Sequence, residues 1–378
     1  MTPTETSVPT TTSRRGMTRA RRRDRRVYFV SHPLLYGLVT MTAGIRRLSI
    51  GRTLVVNDPN MMWDIMTKAD LNRTGKRTTG QILQEHYGSG GLFDESGQDH
   101  RRHRSQFKQN LSHAALPAVL ADGNRLLAES MTSLAEGDSV DIVTLTRQMA
   151  GVTARRLIDL DIDPLLLAQA AEAAAAEAAR AHLRRARTHG TSYDDLLTLV
   201  GGDLEAAVLA VTAVNTTIAT IPRAVAWCSD ADLWSDASKR PIAVAAELLR
   251  VIAPSPVLPR VMAGPLRTPA IQVRSGQRVL LMTRNAARTA DSGGPYPRFS
   301  EESASVRAQQ LVFGVGPHAC PGQALAVTQL ASVLETLAPL RPRVVAARAD
   351  RQAALPSWRS LVVQAAPPQP SSIPVSIA

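Results

Sequence analysis

Residues 311–326 read "LVFGVGPHACPGQALA" and hold Cys320, one of only 2 cysteines in 378 residues. Glycines and a histidine crowd the approach to it, and an Ala- and Leu-rich run of helical composition follows. Two readings compete: a small apolar core residue, or a thiolate ligand. A cysteine at the mouth of a helix has its thiolate favoured by unpaired backbone N–H groups and by the helix dipole. Gly314, Gly316 and Gly322 let the backbone turn tightly and come close to something flat or bulky. Together these features suit a thiolate bound to a metal.

The rest of the composition sets the frame. Hydrophobic residues make up 44% of the chain and aromatics only 4%, so the core must be aliphatic and Ala-rich, which favours helix over sheet. Cys228 and Cys320 cannot form a disulfide framework and lie in no zinc pattern, which points to a reducing compartment. Cys228 ends an apolar run without glycines and reads as core packing. The net charge of +12 is uneven, with Arg14, Arg15, Arg19, Arg21, Arg22, Arg23, Arg25 and Arg26 in one tract. Such a run reads as a solvated tail, with nucleic acid or an anionic membrane as the lesser alternative. No aromatic-interleaved basic repeat or zinc module follows, which argues against a nucleic-acid protein. The apolar run 27–44 is marginal in length for a bilayer span and is broken by Pro33, so it reads as an ordinary first helix rather than an export or anchoring segment.

Along the chain the pattern is mostly helical. Residues 48–59 alternate like a short strand pair, and the segment from Asn60 reads as a helix with Asn60 as its cap. Residues 88–98 read as a loop, and basic and apolar helices follow at 100–112 and 114–135. An Ala-rich helix spans 166–190, and a long, largely uncharged one spans 202–228, interrupted by Pro222. A helix at 240–253 precedes prolines and short strands, and a last helix starts beside Cys320. The expected architecture is mainly α with a small β portion. A disordered tail (1–26) would precede a single domain (27–366) and a C-terminal tail (367–378).

"FGVGPHACPGQALA" resembles the haem-binding loop of the cytochrome P450 family at eight positions: Phe313, Gly314, Gly316, His318, Cys320, Gly322, Leu325 and Ala326. Further segments resemble other motifs of that family, in its order. In "AAELLRVIAPSPVLPR" (245–260), Glu247 and Arg250 share a helix face and match a structural Glu-x-x-Arg pair, whose third partner would be Arg298 or Arg307. In "HRRHR", His100 and Arg104 match a His-x-x-x-Arg motif. The resemblance implies the P450 fold and haem b with Cys320 as the axial ligand. It makes His100, Arg104, Arg260 and His318 contacts for the haem propionates, with Phe313, Gly314, Gly316 and Gly322 shaping the haem loop.

The distal motif departs from the family. Residues 212–217 read "TAVNTT", which puts Thr216 at the threonine linked to oxygen binding and proton delivery. Asn215 stands where an acid is usual, and Ala213 where a glycine is. An amide orients water but cannot relay a proton by ionising. Residues 150–200 are short for the family, so a reduced or unusually open lid is expected. The resemblance implies a cytoplasmic, monomeric bacterial monooxygenase without a membrane span. It would hydroxylate a hydrophobic small molecule, such as a terpenoid secondary metabolite, using O2 and electrons from a separate ferredoxin and its reductase. Two alternatives stay open: an atypical haem-thiolate enzyme (peroxide-driven oxidation, ring coupling or rearrangement), and a haem-binding protein without catalysis.

Overall fold

The computed structural model describes residues 14–72, 75, 78, 81, 97–184, 191–290, 294–298 and 306–367. The expected loop at 88–98 lies almost wholly outside them. The first two helices are α1 (Arg14–Ser31) and α2 (Pro33–Met41), separated at His32–Pro33. Residues 14–26 therefore correct the expectation of a solvated tail. The reason is Asp24, a lone acid among the arginines, which is buried and pairs with Arg223 and Arg284. Val27 and Tyr28 are buried beside it.

The expected strand pair is present as β1 (Arg47–Ile50) and β2 (Thr53–Val56), which form a tight antiparallel hairpin. Next come α3 (Pro59–Lys68) and β3 (Leu71–Asn72). The cap of α3 is Asp58 rather than Asn60: its carboxylate accepts from the N–H groups of Asn60 and Met61, and Pro59 occupies the first helical position, where a missing N–H costs nothing. The helical body comprises α4 (Gly97–Asn110), α5 (Leu116–Ala135), α6 (Ile142–Ile158), α7 (Pro164–Arg184), α8 (Ser192–Leu199) and the 28-residue α9 (Leu204–Ala231). Asp141 and Asp203 cap α6 and α9 through backbone N–H groups. Pro222 does not break α9. Residues 218–228 of α9 are buried throughout, so packing outweighs the lost hydrogen bond.

The remaining helices are α10 (Trp234–Lys239), α11 (Pro241–Ile252), α12 (Thr283–Thr289), α13 (Val306–Phe313) and α14 (Gln323–Leu337). Strand β4 (Val140–Asp141) pairs far along the chain with β10 (Trp358–Gln364), which also pairs with β9 (Arg343–Ala349). A second sheet has the order β1-β2-β8-β5-β3, where β5 is Leu258–Met262 and β8 is Arg278–Leu281. Its β2–β8 pair is parallel and the others are antiparallel. The short β6 (Leu266–Arg267) and β7 (Gln272–Val273) form a hairpin of their own.

Two apolar cores result. The larger surrounds α9 and contains Cys228, buried as expected, with α6, α7, α11 and α14 packed about it. The smaller lies under the five-stranded sheet, among α3, α12 and α13. Phe313 packs against both, so the loop that follows it begins at their seam.

Candidate functional site

At that seam a cleft opens between the middle of α9 and the loop 313–322. Val315 and Ala319 flank a single 3-10 turn, Gly316–His318, and the Cys320 N–H donates to the Phe313 carbonyl at 2.7 Å, which folds the loop back on itself. Gly314 and Gly316 both have φ of +78°, a conformation that a side chain disfavours. Gly316 is required for a second reason: a Cβ there would sit 2.4 Å from the Met66 carbonyl oxygen, so the loop backs directly onto the end of α3. Of the two roles expected for the glycines, a tight turn and close approach to something bulky, Gly316 serves the first, and what it approaches closely is α3.

Cys320 faces the cleft just ahead of α14, whose N-cap is Gly322. Desolvation pushes its thiol pKa up, while a hydrogen bond from the Gly322 N–H and the Arg104 charge pull it down. A metal placed on the sulfur would reinforce those two influences. Arg104, on α4, lines the cleft and donates to the Ala319 carbonyl at 2.5 Å, so it braces the cysteine loop as well as adding positive charge. His100, one turn earlier, is buried, with its ring centroid 4.5 Å from that of His318. Arg260 on β5 completes the group. Its guanidinium donates to the Pro259 carbonyl, and no carboxylate among the described residues pairs with it. Desolvation lowers its pKa to about 10. A cation so placed fits an anionic group brought in by a ligand.

The structure thus gathers His100, Arg104, Arg260, Phe313, Gly314, His318, Cys320 and Gly322 around one cleft. Its opposite wall is a ridge of hydroxyls that motif comparison singled out only at Thr216. Thr212, Thr216 and Thr220 recur every four residues on one face of α9, and each donates to the carbonyl four residues back, at 3.0, 2.8 and 2.6 Å respectively. That spacing was legible in the sequence. Gln329 on α14 donates to Thr153 on α6 at 3.2 Å, a buried pair deep in the cleft with no local sequence signal.

Asn215 is elsewhere. One residue along a helix turns the side chain by about 100°, and here that takes it out of the cleft. Its amide donates to the carbonyls of Ala171 on α7 (3.1 Å) and Val211 (2.8 Å), and it lines a separate polar cavity with Arg147, Glu172 and Asp350. The stretch expected as a reduced lid contains one long and one short helix, α7 and α8. Among the described residues, none between Leu157 and Glu205 lines the cleft. Instead α7 buries Leu167, Ala168, Ala171 and Ala174 in the main core.

Glu247 and Arg250 form the expected pair, buried, with three contacts of 2.8–3.1 Å. Arg250 also donates to the carbonyls of Gly294 and Tyr296. Of the two arginines expected as third partner, Arg298 is the one that reaches Glu247, and it does so through its backbone. The Arg298 backbone N–H donates to Glu247 at 2.8 Å, while Arg307 reaches Asn60 and lies over Trp63.

No protein-family profile matches the sequence, and no curated protein matches it. Solved structures do. CYP175A1 from Thermus thermophillus superposes with a TM-score of 0.69 at 17% identity, over 90% of this chain and 96% of that one. A mutant of P450 EryK in complex with erythromycin B gives 0.66 at 18% identity, covering 90% of this chain and 98% of the other. P450BioI bound to an acyl carrier protein ligated with hexadec-9Z-enoic acid gives 0.66 at 14% identity, covering 89% and 100%. The chain has the cytochrome P450 fold. One of the similar solved structures is a P450 heme domain, from Tepidiphilus thermophilus. The donors here suit haem: one thiol at a helix start, unpaired positive charge at Arg260, and apolar walls.

Proposed function

We propose that this chain is a haem-dependent monooxygenase that hydroxylates or otherwise oxidises a hydrophobic small molecule with O2. One observation carries the reading. Cys320 stands at the start of α14, with an N–H aimed at its sulfur, across an apolar cleft from the hydroxyl ridge of α9. Cys320 would be the axial ligand of haem b, with Phe313, Gly314, Gly316 and Gly322 shaping the loop, and His100, Arg104, Arg260 and His318 would meet the propionates. When bound, haem supplies activation of O2 and transfer of one oxygen atom to the substrate. The protein's own part is positional. The Gly322 N–H and Arg104 temper the thiolate charge, and the two glycines of positive φ hold the sulfur at the cleft wall. Thr216 offers a hydroxyl that releases its bond to Thr212 and holds a water or proton near the substrate.

Electrons would come from a separate ferredoxin and its reductase, to which a basic surface is suited. The expected setting is the cytoplasm of a bacterium, with the protein as a monomer. The structurally similar EryK mutant is bound to erythromycin B, and the similar P450 OxyD is involved in biosynthesis of vancomycin-type antibiotics. Both support secondary metabolism as the setting, and the apolar walls of the cleft suit a terpenoid or another apolar scaffold as substrate.

One observation favours a second reading, in which oxygen is drawn from peroxide. Asn215 points away from the cleft and cannot ionise, so the carboxylate usual at this position is missing. The tests separate the readings. Haem-loaded protein, reduced under carbon monoxide, should give a thiolate-type Soret band that Cys320→Ser abolishes. Absence of the band from folded parent protein overturns both. Substrate turnover with ferredoxin and reductase supports the monooxygenase, and turnover with peroxide alone supports the rival.

A further inference from the structure

Behind α9, on the side turned away from the cleft, lies a second cavity that the proposed reaction does not use. Arg147 on α6, Gln169 and Glu172 on α7, Asn215 on α9 and the turn 350–357 between β9 and β10 line it. Some of its polar atoms are matched. Arg147 donates to both Glu172 oxygens, at 2.5 and 3.2 Å, which closes that pair. Others are open. The Asn215 amide nitrogen donates to the carbonyls of Ala171 and Val211, which fixes the orientation of the amide and leaves its Oδ1 without a donor among the described residues. One Asp350 oxygen accepts from the N–H groups of Gln352 and Ala353, at 2.7 and 3.2 Å, and no cation among the described residues pairs with the carboxylate. Ser357 is only 4% exposed, yet its hydroxyl makes no hydrogen bond among the described residues. A buried hydroxyl in that condition needs a partner from outside the chain.

The charge of the lining identifies the ligand. One guanidinium faces two carboxylates, and since Arg147 is closed by Glu172, the excess negative charge sits on Asp350. The Glu172 hydrogen bond, with the charges of Glu172, Asp141 and Asp350, raises the Arg147 pKa against desolvation, the mark of a negative surrounding. His32 lies against the same turn and feels the Asp350 charge, but burial holds its pKa below the ordinary 6.5, so the ring is neutral at pH 7. A primary ammonium group brings one positive charge and three N–H donors, which answers the excess charge and the open acceptors together. The side-chain amides of Gln169 and Gln352 make no hydrogen bond among the described residues and suit hydroxyls on the same molecule. We propose that this cavity binds a small hydroxylated primary amine, at a site separated from the cleft by α9. Asn215, which turns away from the cleft, then has a task as one of the acceptors.

Ligand-observed NMR titration of the full-length protein tests this with serinol, a primary amine bearing two hydroxyls. Glycerol, which has a hydroxyl in place of the ammonium, is the neutral control. Serinol should bind about ten-fold more tightly than glycerol. Asp350→Asn removes the charge but keeps an oxygen for the Gln352 and Ala353 N–H groups, and should weaken serinol binding about ten-fold. Ser357→Ala should weaken it about five-fold. Both variants should keep the parent melting temperature, and the readout is binding, so it does not depend on the reaction proposed above. Absence of serinol binding to the folded parent overturns the inference. So does glycerol bound equally well, or serinol binding unaltered in both variants. Serinol binding that carbon monoxide on the reduced haem abolishes would place the amine in the cleft, and overturns it too.

Discussion

Asp24→Asn should be among the most destabilising single changes in this protein, although it removes one charge from an arginine-rich helix. Asp24 is only 3% exposed. Its carboxylate accepts from Arg223 at 2.6 and 2.8 Å and from Arg284 at 2.6 Å, with Arg288 at 3.8 Å. The Tyr28 ring lies under both close guanidiniums, with centroid distances of 4.8 and 3.9 Å. Desolvation would raise the carboxyl pKa, but the arginine charges outweigh it and hold the value at about 2, below the ordinary 3.8. Burial and the charge of Arg284 already press the Arg288 pKa well down, so this cluster has no charge to spare. Removing one partner of a buried pair costs about 3–5 kcal/mol, because the remaining charges are left uncompensated. With an unfolding entropy of about 2.1 cal/mol/K per residue, a loss of about 4 kcal/mol in 378 residues lowers Tm by about 5 °C.

The same carboxylate predicts a pH signature. Its folded pKa is depressed, so its contribution is fully present above pH 3.8 and is lost as pH falls toward 2. Differential scanning calorimetry of the parent and variant from pH 7 to pH 2 should show the gap in Tm closing across that window. Asp232→Asn is the control. It breaks the ion pair with Arg341, whose side chains are 37% and 67% exposed, and should move Tm by no more than about 1 °C. An Asp24→Asn variant that melts within a degree of the parent at pH 7 would refute the assignment of α1 as a helix held by a buried charge.

Gly316→Ala should destabilise the cysteine loop through both its positive φ and the clash with Met66, lowering Tm and the haem content of purified protein. Gly322→Ala, whose added Cβ would meet only the Cys320 sulfur at 3.9 Å, should be milder on both measures. Glu247→Gln should cost about 3–5 kcal/mol by leaving Arg250 buried without its counter-charge, read by urea denaturation. Arg260→Met should leave folding intact and speed haem transfer to an excess of apomyoglobin; an unchanged transfer rate would exclude Arg260 as a propionate contact.

How far the sequence reaches depends on separation along the chain. The cysteine loop was legible because its parts lie within about a dozen residues: two glycines, a histidine, the thiol and the helix start. Glu247 and Arg250 were legible for the same reason, since i,i+3 spacing puts them on one face. Of the periodic threonines of α9, only Thr216 belongs to a motif; Thr212 and Thr220 are marked by nothing but their spacing of four. Asp58 lost to Asn60 as expected cap of α3, and there the missing clue was Pro59, which fills the first helical position and leaves the cap to the residue before it.

What needed the tertiary structure was the identity of distant partners. In sequence Asp24 is one acid in a run of arginines, and a solvated tail is the natural reading. Its partners Arg223 and Arg284 lie 199 and 260 residues away, and burial against them turns that run into a docked helix. The direction of Asn215 was decided by Ala171, 44 residues earlier, and the third partner of Glu247 proved to be a backbone N–H, which no side-chain pattern encodes. By itself the sequence determined the chemistry of the cysteine wall, because local spacing specifies a loop. The other wall, and whether the arginine tract is tail or scaffold, were settled by which surfaces exclude water, and only the folded chain decides that.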